Sequence, residues 1–196
     1  LIASPYAEQT VTLLVTDLKS KPYIDITIDM MQKFGVTVNR EGYETFKIEA
    51  GQTYNARDFV VEGDWSGAAF LLVAGALNGT VTVKNISLES CQADKAIIDA
   101  LRMVGAQVEI GENEITVSRS ELKAFTFDAT ECPDLFPPLV SLAAHCTGNT
   151  HILGVSRLAH KESNRALVLQ KEFAKIGTKI DVQGDEMIVY GGTVQG

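Results

Sequence analysis

One stretch occurs three times in the chain: YIDITIDMMQKFG at residues 23–35, ADKAIIDALRMVG at 93–105 and RALVLQKEFAKIG at 165–177. In each copy the residues four and one before the glycine are apolar, which places them on one face of a helix. A basic residue stands in the last turn, where a cation suits the helix dipole. The glycine predicts a left-handed end to the helix. The stretch therefore indicates three amphipathic helices of one kind.

The elements around each copy repeat as well. A β-hairpin is predicted after each glycine. Alternating apolar residues mark its first strand, Val36 and Val38 in the first copy, and the turns lie at residues 39–42, 111–113 and 183–185. A strand is predicted before each helix, at residues 10–15, 80–83 and 150–153. The last two copies also have wholly apolar helices at 66–77 and 135–144, after strands at 58–61 and 125–128. The unit is therefore β-α-β-α-β-β, present twice in full and once in large part.

The repeat predicts the fold class. Helices that are apolar on every side are expected to be buried, so the units must pack against one another. The expected architecture is α/β, with sheets outside and parallel helices inside.

Composition and charge argue against several classes of protein function. The 196 residues include 17 basic and 25 acidic side chains, for a net charge of −8, which argues against a broad nucleic-acid surface. No apolar run is long enough to span a membrane. Three cysteines without C-x-x-C spacing predict half-buried thiols in a reducing compartment rather than a disulfide framework or a zinc site. The first residue is Leu1, and we expect the chain to be a piece of a longer protein.

Two short segments at predicted helix starts carry cations where the helix dipole disfavours them. Ser20 is a predicted N-cap, and Lys21 follows it. This indicates either an anion site or a capped helix with a solvated lysine. Lys161 and Arg165 share a face of the third helix and repel each other. Glu162 either neutralises Arg165 or serves proton transfer beside a phosphate- or carboxylate-binding face.

Two aspartates occupy corresponding places in successive units. Asp64 and Asp134 each precede an apolar helix, and their repeat positions predict a capping role for both. The spacing does not decide whether either also takes part in chemistry. His145 and His151 are predicted surface residues, and the glycine-rich nucleotide loops are absent from the sequence.

Three motifs together resemble one known family. Residues 20–25 (SKPYID), 61–64 (VEGD) and 161–165 (KESNR) are similar to 5-enolpyruvylshikimate-3-phosphate synthase, or 3-phosphoshikimate 1-carboxyvinyltransferase. The resemblance runs along the whole chain. It implies two lobes of three units each, forming an inside-out α/β barrel. Residues 1–62 would be the last repeat unit of one lobe, and residues 63–196 two units of the other.

The resemblance also implies an activity. The family transfers the enolpyruvyl group of phosphoenolpyruvate to the 5-hydroxyl of shikimate 3-phosphate and releases phosphate, a step of aromatic amino-acid biosynthesis. It implies a cytoplasmic enzyme, monomeric when intact, with no cofactor or metal and with neither nucleic acid nor membrane as a partner. Segments of the family's site have no counterpart in this chain, so we expect the 196 residues alone to be inactive.

The implied roles follow the motifs. Asp134 resembles the base near the attacked hydroxyl, and Glu162 resembles the proton-transfer carboxylate. Lys161 resembles a cation that bridges substrate groups and Arg165 a phosphoenolpyruvate ligand. The remaining substrate-binding candidates are Ser20, Tyr23 and Arg157, of which the first two resemble contacts of shikimate 3-phosphate.

The chain departs from the family pattern at two of these positions. Asn164 stands where the family often has aspartate, and Arg157 where it often has asparagine or another small polar residue.

Three alternatives remain open. UDP-N-acetylglucosamine enolpyruvyl transferase has the same fold and donor, but the 20–23 segment and Lys161-Glu162 resemble the shikimate enzyme. RNA 3′-terminal phosphate cyclase is related in architecture, and the acidic charge argues against it. In a non-catalytic repeat scaffold, Asp134, Glu162 and Arg165 would be caps and ion pairs that do not meet in one cleft.

Overall fold

The computed structural model of the protein describes residues 1–159, 163–192 and 194. It divides into two compact units. Unit 1 is Leu1–Val61 with Cys91–Ala93, and unit 2 is Glu62–Ser90 with the chain from Asp94 onward. No helix of the described residues has the length and apolarity that a membrane span requires.

Helices and strands alternate along the described chain. The α-helices are α1 (Lys21–Lys33), α2 (Trp65–Asn78), α3 (Ile97–Met103), α4 (Phe136–Ala144) and α5 (Arg165–Lys175). The strands are β1 (Val11–Leu14), β2 (Asn39–Glu41), β3 (Thr45–Ile48), β4 (Thr80–Lys84), β5 (Gln107–Ile110), β6 (Glu114–Ser118), β7 (Thr126–Asp128), β8 (Asn149–Leu153), β9 (Lys179–Gln183) and β10 (Glu186–Tyr190). Short 3₁₀-helices lie at Ser4–Tyr6, Ala93–Ala96, Pro133–Leu135 and Val155–Leu158.

The three sheets share one topology. Their strand orders are β1-β3-β2, β4-β6-β5 and β7-β8-β10-β9. In each, the second strand of the hairpin lies between the first hairpin strand and the strand that precedes the helix. The third sheet has one more strand, β7, which pairs parallel to β8. The structure therefore confirms the predicted α/β repeat, with all six elements in the third copy.

The repeated glycines end their helices as the sequence predicts. Gly35, Gly105 and Gly177 have φ angles of 93°, 89° and 82°, in the left-handed region. The residue after each glycine donates its amide N–H to the carbonyl of the residue four positions before the glycine. In the first copy, Val36 N donates to Met31 O at 2.9 Å. This is the Schellman arrangement, which satisfies carbonyls left over at the helix end. It also turns the chain toward the hairpin.

Each unit buries its own apolar residues. In unit 1 the core consists of Met31, Val36, Phe46 and Ile48. In unit 2, α2 and α4 pack against each other, and α2 also packs against β4 and β6. Gly75 makes this close packing possible, because a Cβ there would lie 2.7 Å from the Val117 carbonyl oxygen.

Two predicted strand positions are wrong. Residues 58–61 lie within the described chain but form no strand. The first strand of the first hairpin was expected around Val36 and Val38, with its turn at 39–42, but the pairing residues are Asn39–Glu41 and the turn falls at 42–44. Val36 is fully buried in the core. Burial rather than strand pairing therefore accounts for the apolar alternation there.

The expected burial of the apolar helices holds for α4 and only partly for α2. Every residue of α4 is buried except two half-buried ones, Pro137 and Ser141. On α2, Leu72 is fully buried, whereas Phe70 and Leu71 are 50% and 53% exposed. One side of α2 packs in unit 2, and the other is an apolar face open to solvent in this 196-residue structure.

Adjacent leucines on α2 allow a matched test. Leu72→Ala should lower the free energy of unfolding of unit 2 by about 2–5 kcal/mol, because it removes a buried side chain and leaves a cavity. Leu71→Ala should cost less than about 1 kcal/mol, because this side chain is half in water and alanine favours the helix. Urea denaturation of the 196-residue chain measures both. Equal losses would contradict the assigned orientation of α2.

Candidate functional site

Two of the described candidate residues, Asp134 and Arg165, contact each other directly in unit 2. Arg165 Nη1 donates to Asp134 Oδ1 at 2.7 Å, and the two side chains are only 25% and 29% exposed. Arg165 is the first residue of α5, and Asn164 caps this helix by accepting from Leu167 N at 3.3 Å. The cap fixes the backbone from which Arg165 extends. A charge-assisted hydrogen bond between partly buried groups is stronger than an exposed ion pair.

Asp134 does not cap a helix, and the predicted capping role is wrong for this residue. It is the middle residue of the 3₁₀-helix Pro133–Leu135, for which Cys132 holds the N-cap position. Asp64, its counterpart in the preceding copy, does cap α2, accepting from Ser66 N and Gly67 N at 3.1 and 3.0 Å. Corresponding aspartates therefore have different partners.

A third candidate lies on a neighbouring element. Arg157 is half-buried and belongs to the 3₁₀-helix Val155–Leu158. This helix packs against both α5 and the 3₁₀-helix Pro133–Leu135. The elements that carry Asp134, Arg157 and Arg165 thus lie close to one another in unit 2.

Two predicted residues have no described position. Lys161 and Glu162 lie outside the described residues, as does His160. Their predicted roles, and the alternative ion pair between Glu162 and Arg165, therefore stay predictions.

Unit 1 holds Ser20 and Tyr23 at the start of α1. Ser20 occupies the predicted N-cap position, but its side chain makes no capping hydrogen bond to the described helix. Its backbone is left-handed (φ 54°, ψ 46°), a conformation that costs energy for a residue with a side chain. Tyr23 is 37% exposed. Ser20 is half-buried, and both residues stand at the beginning of a 13-residue helix.

Lys21 has an aromatic neighbour. Its Nζ lies 5.3 Å from the centre of the Tyr43 ring, a cation–π contact that partly offsets its unfavourable place at the helix start. Tyr43 in turn donates to Asp25 Oδ2 at 2.6 Å, and this hydrogen bond raises the pKa of Tyr43. Arg40 Nη1 donates to the other Asp25 oxygen at 2.5 Å. Sequence spacing did not indicate this cluster, because its members come from α1 and the first hairpin.

The two described histidines have different surroundings. His145 is exposed, whereas His151 Nδ1 lies 2.8 Å from Glu186 Oε1, a carboxylate that linear spacing did not indicate. Three or more His, Cys, Asp or Glu side chains do not come together as a metal-ligand group anywhere in the described part of the chain.

The cysteines differ from the expected half-buried thiols. Cys91 is exposed, while Cys132 and Cys146 are buried. Burial raises the pKa of Cys132 to about 12, and the carboxylates around it, Asp94 and Asp128 foremost, add to the shift. Burial alone raises the pKa of Cys146 to about 11. Neither buried thiol is suited to be a nucleophile at neutral pH.

Comparison with solved structures defines the class of protein. The chain aligns with EPSP synthase from Acinetobacter baumannii at a TM-score of 0.78 and 25% identity, covering 97% of this chain and 45% of that one. It aligns with the enolpyruvyl transferase NikO from Streptomyces tendae at a TM-score of 0.71 and 19% identity, covering 96% and 44%. The fold is that of the enolpyruvyl transferases.

Sequence comparison gives the family. The model of the EPSP synthase (3-phosphoshikimate 1-carboxyvinyltransferase) family matches residues 1–196, and the chain belongs to this family. It is 40% identical over 179 residues to the 3-phosphoshikimate 1-carboxyvinyltransferase of Clostridium novyi, covering 91% of this chain and 41% of that protein. Identity to the Methanoculleus marisnigri protein of that name is 36%, covering 100% and 47%. The chain spans less than half the length of these relatives.

The cysteine environments predict selective labelling. A disulfide-exchange reagent at pH 8 should modify Cys91 rapidly and leave Cys132 and Cys146 intact until the chain unfolds. A thiol with a pKa of about 12 is ionised in only roughly one molecule in ten thousand at pH 8. Mass spectrometry with and without urea measures this, and Cys91→Ser should abolish the fast reaction. Rapid native labelling of Cys132 would contradict its burial.

Proposed function

We propose that the full-length protein transfers the enolpyruvyl group of phosphoenolpyruvate to the 5-hydroxyl of shikimate 3-phosphate and releases phosphate. The observation that supports this proposal best is the 2.7 Å pair between Arg165 and Asp134. It joins a cation and a carboxylate that are 31 residues apart in sequence. A reaction between an anionic donor and a hydroxyl acceptor needs both kinds of group. Membership of the family supplies the particular substrates.

Asp134 is the proposed base. The oxygen of the 5-hydroxyl attacks the second carbon of phosphoenolpyruvate, so the hydroxyl must lose its proton as the new carbon–oxygen bond forms. A carboxylate can accept this proton only in its ionised form, and the Arg165 guanidinium stabilises that form. The methylene carbon of phosphoenolpyruvate must gain a proton in the same addition. The resulting methyl group must lose a proton again when phosphate leaves and the double bond reforms. Glu162 is the proposed group for this second transfer.

Arg165 is the proposed ligand of phosphoenolpyruvate, and the ion pair suggests how binding prepares the base. A guanidinium has five N–H donors and a permanent charge, so it can turn toward an incoming carboxylate or phosphate. As the substrate takes part of that charge, Asp134 is released from the ion pair and becomes the better proton acceptor. Donor binding and activation of the acceptor hydroxyl would then be coupled through one side chain.

The remaining roles complete the proposal. Lys161 bridges substrate groups, Arg157 contacts a substrate anion, and Ser20 and Tyr23 contact shikimate 3-phosphate. Residues 1–62 are the last repeat unit of one lobe, and residues 63–196 are two repeat units of the other lobe. We further propose a monomeric cytoplasmic protein that acts on these two small molecules with no cofactor.

Phosphate release tests the function and the base together. The full-length protein should release phosphate from phosphoenolpyruvate only with shikimate 3-phosphate, and Asp134→Asn should lower kcat about 10²- to 10⁴-fold, because the amide cannot accept the proton. Asp64→Asn is the matched control at the corresponding repeat position. It should keep near-normal kcat, since asparagine also caps helices well.

Other outcomes select the alternatives. Release only with UDP-N-acetylglucosamine would assign the protein to the sister enzyme and contradict the proposed acceptor. Release with neither acceptor from a folded protein would favour the scaffold. Equal losses in both aspartate variants would contradict a special role for Asp134.

Activity should require more than this chain. We predict that the 196 residues alone give no phosphate release above background. The chain spans 41% of the length of its Clostridium novyi relative, and the family resemblance implies further site residues that have no counterpart in it. The same assay with equal molar amounts of the chain and the full-length protein measures this. Comparable turnover by the two would contradict the prediction.

A further inference from the structure

One backbone hydrogen bond recurs in all three copies of the repeat. The residue just after the strand that precedes the amphipathic helix donates its N–H to a carbonyl at the turn of the hairpin. The pairs are Val15 N to Glu44 O at 2.8 Å, Asn85 N to Asn113 O at 2.9 Å and Gly154 N to Asp185 O at 2.9 Å. This bond joins each hairpin turn to the loop that leads into the amphipathic helix.

In the third copy the turn residue, Asp185, accepts two further hydrogen bonds. The Asp185 carbonyl also accepts from Val155 N at 3.1 Å, and its carboxylate Oδ1 accepts from Ser156 N at 2.7 Å. These are the first amides of the 3₁₀-helix Val155–Leu158. The first amides of a helix have no partner within the helix itself. Asp185 therefore caps, from another element, the short helix that carries Arg157.

The segment that precedes Asp134 packs closely against the start of the same 3₁₀-helix. Gly154 has φ 98°, and a Cβ there would lie 2.7 Å from Thr130 N. Thr130 N donates to Asp128 Oδ1 at 2.9 Å, and four residues later the same segment reaches Asp134. The segment that leads to Asp134 and the one that leads to Arg157 therefore pack closely against each other at Gly154.

We propose that Asp185 is a positioning residue, which sets the place of Arg157 relative to Asp134 and Arg165 and so contributes to binding of a substrate anion. The inference rests on the proposed function, since it concerns the same site. Asp185 itself is exposed at the turn between β9 and β10 and acts only through the 3₁₀-helix. Without its carboxylate, the helix start loses one fixed acceptor and Arg157 is held less closely.

Steady-state kinetics of the full-length protein tests this proposal. Arg157→Ala should raise the KM of one phosphorylated substrate. Asp185→Ala should raise the same KM about fivefold, the equivalent of one lost helix cap, with kcat changed less than about twofold. Asp185→Asn should restore most of the affinity, because an amide oxygen also accepts from Ser156 N.

A double variant separates positioning from general destabilisation. If Asp185 acts through Arg157, Asp185→Ala should not raise the KM further in an Arg157→Ala background. Asn113→Ala, at the corresponding turn of the preceding copy, is the control and should leave both KM values unchanged. Thermal unfolding of each variant checks that the fold persists.

The outcomes are distinct. Unchanged KM values in Asp185→Ala or Arg157→Ala, no rescue by Asp185→Asn, or additive effects in the double variant would overturn this inference while leaving the proposed function intact. Absence of phosphate release by the unaltered full-length protein would overturn the proposed function itself. A rescued, non-additive rise in one KM supports the assignment of Asp185.

Discussion

The left-handed glycine after each amphipathic helix is the constraint on which the rest of the structure depends. At Gly35, Gly105 and Gly177 the chain adopts φ angles of 82–93°, which residues with a side chain adopt only at a cost. The reversal lets the following amide bond back to the helix and sends the chain into a hairpin. Because the returning hairpin strand pairs with the strand before the helix, one local backbone requirement, met three times, gives the same order of these three strands in each sheet.

Local patterns predicted the repeated elements well and missed those that depend on distant partners. The helix ends and the hairpin around Gly184 follow from adjacent residues, so sequence alone was sufficient for them. The missing strand at 58–61 shows the limit of this approach. Its counterpart, β7, is a strand because it pairs with β8, and such pairing leaves no mark in a four-residue pattern. The first hairpin was misplaced for a related reason, since a buried Val36 alternates with polar neighbours without pairing.

The candidate site shows the same limit at the level of side chains. Asp64 and Asp134 have the same local signal, an aspartate before an apolar helix, and the sequence favoured a capping role for both. What separates them is a residue in another element. Arg165 begins the third amphipathic segment, where the second copy has Ala93. The guanidinium gives Asp134 a partner, whereas Asp64 has the amides of its own helix. Aligning the repeats with each other provides the signal that linear spacing within one copy lacks.

A repeat that serves structure three times can acquire chemistry in one copy at little cost to the others. The shared bond between the hairpin turn and the loop uses only backbone atoms, so the side chains around it are free to differ. In the second copy the donor is Asn85, held at φ 60°, whereas the third copy has Gly154, which allows the backbone of Thr130 to approach. The third turn has Asp185 where the second has Asn113. Such changes lie in loops on a rigid scaffold, where a charged residue can be added without disturbing a core. The proposed site therefore rests on the asymmetry among equivalent loops rather than on the repeated architecture.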